Sequence, residues 1–363
     1  MAKHFPPISY NEYLKVPELV SLQSRRSAQF GRPAHDETLF IIVHQTYELW
    51  FKQILTELNS AIEIFRQPLI DESAMGSAVA RLQRVVSVQR LLLEQITVLE
   101  TMTPLDFLEF REFIYPASGF QSAQFREIEN KLGLQRTERL DFNAQPYLAY
   151  VDPAERERLV ESERTPSLFD LLESWLARTP FLESENFEFW AEYRRAVARM
   201  FDRDRGVVEG NPLLNAVERE RNVAELSAHE KTFDALFDPV VYEQARAEGQ
   251  WRFSHRAIRA CLLIQLYRNQ PILHLPHLLL TALQDIDEGF TQWRYRHALM
   301  AHRMLGAKIG TGGSSGASYL RAATEKHRIY LDLFSLATYL IPRSELPALP
   351  PEARKQLGFY HGA

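Results

Sequence analysis

Four places in the sequence carry side chains whose types and spacing suit chemistry. Phe40 and His44 are four residues apart, so on a helix they share one face, beside apolar Val43 and Tyr47. A histidine so placed is either a core residue satisfied by backbone or water, or a hydrogen-bonding group on the wall of an apolar pocket. His297 follows Trp293 by four and precedes Met300, Ala301 and Met304 at helical spacing, small or apolar neighbours that would let a flat ring system approach. It reads as a structural histidine or as a lone metal ligand; a bis-histidine site with His302 is disfavoured, because five residues do not put two ligands on one face. Arg111 shares a face with Phe107, and a guanidinium among phenylalanines suits a bidentate grip on a carboxylate, the alternative being a surface ion pair. Last, Gly310-Thr311-Gly312-Gly313-Ser314-Ser315-Gly316 offers backbone N–H groups and hydroxyls, either as a plain surface loop or as one that closes over a polar ligand. It is not a phosphate loop, since the nearby Lys308 precedes the glycines. His274 and His277, separated by Pro276, read as structural.

The elements that must position these groups are helical. Phe40, Val43, Tyr47, Trp50 and Ile54 recur at three- and four-residue steps and predict a helix over 36–60, with Asp36 and Glu37 at its N-terminus. A second long helix is predicted over 75–100, a short one over 105–114 after Pro104, a loop over 117–122 and a helix over 123–132. From 147 to 249 Pro153, Pro166, Pro180, Gly206, Gly210 and Pro212 punctuate shorter, highly charged pieces. Helical pattern returns over 253–269, 276–306 and 317–340. No repeat and no run of alternating strands is present, so the fold class is all-α: a large helical bundle with a smaller helical lobe inserted at 147–250. The remaining divisions are an N-terminal arm over 1–30, a first helical block over 31–146 and a second over 251–363.

Composition limits the function classes. With 363 residues, 45% apolar and 25% charged, the chain can bury a large core. A net charge of −5 gives no basic field for a nucleic-acid backbone, and no apolar run approaches the roughly 20 residues that span a bilayer. The opening residues lack the apolar stretch of a secretory signal, so a cytoplasmic protein acting on small molecules is expected. One cysteine, Cys261, excludes an intrachain disulfide and covalent c-type haem attachment.

Taken together, several long segments resemble the tryptophan 2,3-dioxygenase family, in order and over nearly the whole chain. They are Tyr10-Asn11-Glu12-Tyr13-Leu14, the run from His35 to Lys52, Leu99 to Phe107, Pro116-Ala117-Ser118-Gly119-Phe120-Gln121-Ser122, and Trp293 to His297 with the Gly310 to Gly316 loop. The resemblance implies a b-type haem in each subunit with His297, not His302, on the iron, beside Trp293, and Ser118 and Gly119 near a haem propionate. It implies His44 as the distal histidine, Arg111 on the substrate carboxylate, Thr311 on its ammonium, and Phe40 and Phe107 against the indole. Tyr10, Tyr13 and Leu14 match an arm that completes a neighbouring subunit's pocket, which implies a homotetramer. The implied reaction inserts both atoms of dioxygen across the indole C2–C3 bond of L-tryptophan, giving N-formyl-L-kynurenine and opening the kynurenine pathway of tryptophan degradation. A haem monooxygenase of tryptophan or a related indole, and a non-catalytic haem-binding sensor, are the rival readings. The 147–249 stretch matches least and contributes no functional residue.

Overall fold

A computed structural model describes residues 5–140, 145–179, 189–306, 308 and 316–358. Among them the chain is helical, with no β-strand. The arm holds three short helices, α1 (Tyr10–Leu14), α2 (Val16–Leu19) and α3 (Arg26–Gln29). It joins α4 (Glu37–Phe65), the first long helix of the core. The expectation that Asp36 and Glu37 serve the start of α4 is half met. Asp36 makes no side-chain cap, and Glu37 is buried and turned back on α3, accepting from the backbone N–H groups of Arg26 and Ser27 at 2.8 and 3.0 Å. That carboxylate satisfies the orphan donors of a four-residue helix that could not stand alone.

Conventional caps define the next three helices. Asp71 accepts from the Ala74 N–H at 2.7 Å and starts α5 (Glu72–Leu99). Thr103 and Asp106 form a reciprocal capping box at α6 (Pro104–Ile114), with Pro104 in the first turn. A 3-10 turn at Gly119–Gln121 leads to α7 (Ala123–Leu132), which Ser122 caps and Gly133 ends at φ 118°, a left-handed conformation suited to glycine. Next come α8 (Pro153–Arg164), α9 (Leu168–Leu176), α10 (Phe189–Glu209), α11 (Ala216–Phe237) and α12 (Pro239–Ala247). Here the structure departs from the expected short pieces: Gly206 lies inside α10, where it costs some propensity without ending the helix.

The chain closes with α13 (His255–Leu266), α14 (Pro271–Leu305), α15 (Gly316–Lys326), α16 (Leu331–Ser335) and α17 (Pro351–Gln356). α14 begins a turn before Pro276, which lies inside it near the N-terminus. The stretch predicted as continuous from 317 to 340 is broken between α15 and α16. The buried carboxylate of Asp287, on α14, takes the N–H groups of Ile329 and Tyr330 at 2.7 and 3.4 Å and the Arg328 guanidinium at 3.1 Å, giving the non-helical backbone its partners.

α5 and α14 pack along their length, and α4 lies against α5. One core runs from α4 through α5, α9, α10 and α13 to α14, so residues of the 147–250 stretch such as Leu172 and Tyr193 share it with Ile54 and Leu283. α5 and α14 approach closely at Gly289, where an added Cβ would lie 2.8 Å from Gln89 Oε1. Gln89 cannot swing clear, because it is buried and its amide donates to the Ile286 carbonyl at 2.9 Å. At Gly76, on the same interface, an added Cβ would meet only Leu275 at 4.0 Å. Gly76→Ala should therefore gain up to about 1 kcal/mol of helix propensity. In Gly289→Ala an overpacking cost of about 1–3 kcal/mol opposes that gain, so it should be the less stable of the two by urea titration.

Candidate functional site

One face of α4 assembles the site. Phe40, His44, Tyr47 and Phe51 step by four, three and four residues and form a continuous aromatic stripe. Its first half meets α6: the Phe40 ring lies 5.8 Å from Phe107 and 5.4 Å from Phe110, and those two rings meet edge-on at 5.3 Å. Its second half meets α14: Tyr47 and Phe51 sit 6.0 and 6.4 Å from Trp293. Trp293 in turn stacks on His297, 5.4 Å away with ring planes 24° apart. Apolar and aromatic walls thus join His44 on α4 to His297 on α14.

Both imidazoles are held neutral. His44 packs on Phe40 at 4.0 Å, and its Nδ1 lies 2.7 Å from the Phe40 carbonyl. A carbonyl only accepts, so Nδ1 carries the proton and Nε2 keeps the lone pair. His44 is exposed to solvent yet crowded by protein around its ring. That crowding depresses its pKa, with the Phe40 carbonyl and the charge of Glu48 pulling the other way. His297 is pushed down to about 4, first by burial and then by the proximity of His44, whose protonation would disfavour a second positive charge. Nδ1 of His297 and Nε1 of Trp293 are buried with no hydrogen-bond partner among the described residues.

These observations test the fit of a metal-bearing cofactor. Among the described residues no group of three or more His, Cys, Asp or Glu side chains could hold a bare ion. A single neutral histidine in an aromatic wall suits instead a metal whose other ligands come from its own flat macrocycle. The residues present therefore fit a haem.

The remaining anticipated residues divide between the site and the surface. Phe107 is buried and Arg111 half-buried, one turn apart on α6. Ser118 caps the 3-10 turn, its N–H donating to Gln121 Oε1 at 3.1 Å, and a Cβ added at Gly119 would enter open space. Thr311 lies outside the described residues, as does most of the Gly310–Gly316 loop. Tyr10, Tyr13 and Leu14 are brought to none of these side chains; they stand 73%, 72% and 43% exposed on α1, which buries nothing. Sequence reasoning missed Phe110 and Tyr47 as site-forming groups. Both were legible as i+3 neighbours of Phe107 and His44.

Fold and site define an all-α protein with two imidazoles, His44 and His297, joined by a run of aromatic rings. The sequence profile of the tryptophan 2,3-dioxygenase family matches residues 4–340. The tryptophan 2,3-dioxygenase of Bdellovibrio bacteriovorus is 53% identical over 357 residues, covering 98% of this chain and 99% of that one. That of Alteromonas mediterranea is 46% identical, covering 99% of each chain. That of Xenopus laevis is 43% identical, covering 96% of this chain and 86% of its own. The chain belongs to the tryptophan 2,3-dioxygenase family, whose members are oxidoreductases.

The site makes a prediction of its own. With burial the dominant influence, the His44 ring should titrate with a midpoint below 6.5 and stay in its Nδ1–H form above it. Imidazole nitrogen chemical shifts followed against pH check this, and a midpoint at or above 6.5 would contradict the desolvated wall.

Proposed function

We propose that the chain opens the indole ring of L-tryptophan, adding both atoms of dioxygen across C2–C3 to give N-formyl-L-kynurenine. The observation that carries the reading is the pairing of neutral His44 and His297 across one aromatic stripe, in a chain of this family. His297, stacked on Trp293, would hold the iron of a b-type haem, and Ser118 with Gly119 would lie against a propionate. When bound, haem supplies the activation of dioxygen.

The chain's own residues have the tasks of binding, orienting and excluding water. His44 is set to accept the indole N–H at Nε2, because Nδ1 is already committed to Phe40. It need not remove that proton: an acceptor held in one tautomer fixes which edge of the indole faces the oxidant. Phe40 and Phe107 supply the flat walls, and Phe110, fully buried behind both, keeps them in place. Arg111 would take the substrate carboxylate, and Thr311, with a propionate, the ammonium. Exposed Tyr10, Tyr13 and Leu14 favour an arm that seals a neighbouring subunit's pocket within a homotetramer.

Two experiments test this. His297→Ala should fold without stable haem, whereas His302→Ala, altering an exposed histidine, should keep it. Haem content from the absorption spectrum checks both, and full occupancy in His297→Ala would sink the ligand assignment. Arg111→Ala should lose about 1.5–3 kcal/mol of tryptophan binding, roughly 10- to 100-fold in KM. It should bind tryptamine, which lacks the carboxylate, about as well as the parent. A parent enzyme with no preference between the two ligands would assign Arg111 another task.

A further inference from the structure

The groups assigned to the site leave unused a buried carboxylate that touches three guanidiniums. Glu129, on α7, accepts from Arg126 at 3.0 Å, Arg139 at 2.5 Å and Arg294 at 2.8 Å, and His327 Nδ1 lies 3.6 Å away. All five side chains are buried. The histidine's protonation is readable, because the Leu140 N–H donates to Nε2 at 3.2 Å and leaves Nδ1–H to face Glu129. Burial alone would favour a protonated Glu129; Arg139 and then Arg126, with the His327 bond and Arg294, hold it well below the usual carboxylate range.

What this cluster grips is the turn of α14 beneath His297. On a helix the residues at i−3 and i−4 underlie a given side chain, and for His297 these are Arg294 and Trp293. Both are held by one face of α7. Glu129 takes Arg294, and Phe125, four residues before Glu129, packs on Trp293 at 5.1 Å. α7 also meets α4: Gln124 donates to the Glu48 carbonyl at 2.9 Å and to its carboxylate at 2.8 Å, one turn beyond His44, and Phe125 meets Phe51 at 5.4 Å. The Ser118–Gln121 turn runs directly into α7. α7 is therefore the spacer between the helix of His44 and the helix of His297.

We propose that Glu129 is a positioning residue for His297, acting through Arg294 to fix the rotation and height of that turn of α14 against α7. The proposal rests on the reading of His297 as the protein ligand of haem iron. In Glu129→Gln three guanidiniums face a neutral amide, and their mutual repulsion shifts the turn while the aromatic packing keeps the helix formed. The test uses holoenzyme and reads the rate of haem loss to an excess of a haem-scavenging protein, the position of the haem absorption band, and kcat and KM separately. Glu129→Gln should lose haem roughly tenfold faster or more, with lowered kcat and a tryptophan KM close to the parent's, as expected when the support of a metal ligand is altered. Glu57→Gln is the control: Glu57 of α4 is buried and pairs with the solvent-accessible Arg81 and Arg84 of α5, so its loss should lower Tm without altering haem retention or kcat.

Equal behaviour of the two variants at matched loss of Tm would overturn the proposal, since stability alone would then account for the effect. Should Glu129→Gln fail to fold, Arg294→Lys keeps the charge but not the planar pair of donors, and should shift haem retention and band position in the same direction by less. Parent-like values in that variant overturn the proposal as well. If His297→Ala loses haem while Glu129→Gln retains it normally, the positioning role fails alone. Retention of haem in His297→Ala removes the ligand assignment and the proposal with it.

Discussion

The site depends on keeping two imidazoles neutral. A histidine that must offer a lone pair has to stay neutral, and desolvation is the main force depressing both His44 and His297. That requirement explains why the walls are aromatic. Phe40, Phe107 and Phe110 on one side and Tyr47, Phe51, Phe125 and Trp293 on the other crowd the imidazoles without adding charges that would pull them back toward protonation. It also explains the length of the helices. Stretching one stripe from Phe40 to Phe51 takes three turns of α4, which packs against α5.

Several buried carboxylates of the chain serve to join its elements. The buried carboxylates Glu37, Glu57, Glu129 and Asp287 each have named partners, and each joins elements that hydrophobic packing would leave free to slide. Glu37 ties the arm to α4, Glu57 ties α4 to α5, Glu129 ties α7 to α14, and Asp287 ties α14 to the break after α15. A buried ion pair contributes little net stability, because desolvation offsets most of the attraction, but it is intolerant of the wrong register. Packing thus sets how strongly these helices associate, and the paired carboxylates set where.

How much of this was legible depended on the range of the interaction. The long helices were readable from periodicity, and Ala123–Leu132 matches its expected bounds because local signals, a serine cap and a terminal glycine, define both ends. His44 and Phe40 were legible as a pair for the same reason. The break between α15 and α16 was not, since it comes from Asp287, some forty residues away in sequence. Nor was the second role of Arg294 and Glu129, which are 165 residues apart and look like ordinary surface charges on amphipathic helices. Gly206 shows the opposite error: a residue that often marks a boundary remains in a helix when its flanks, Met200 and Phe201 among them, are anchored in the core.

The N-terminal arm is where the single chain remains least self-sufficient. A five-residue helix cannot hold its own conformation in water, and α1 has a serine cap but no buried residue to compensate. Phe5, Ile8, Tyr10 and Tyr13 are each more than half exposed within nine residues, an apolar density that isolated surface residues do not reach. Its attachment lies at its end: Gln23 and Gln45 bond to each other, Gln45 holds the Leu22 carbonyl, Glu37 caps α3, and Phe30 stacks on Phe113 of α6 at 5.5 Å. An arm tethered at its base and apolar along its free length is built to lie on another surface. Under the proposed function that surface is the pocket of a second copy, where His44 is still open to solvent and Gly119 faces empty space. Under that proposal, the desolvation on which both histidines depend would be completed by assembly.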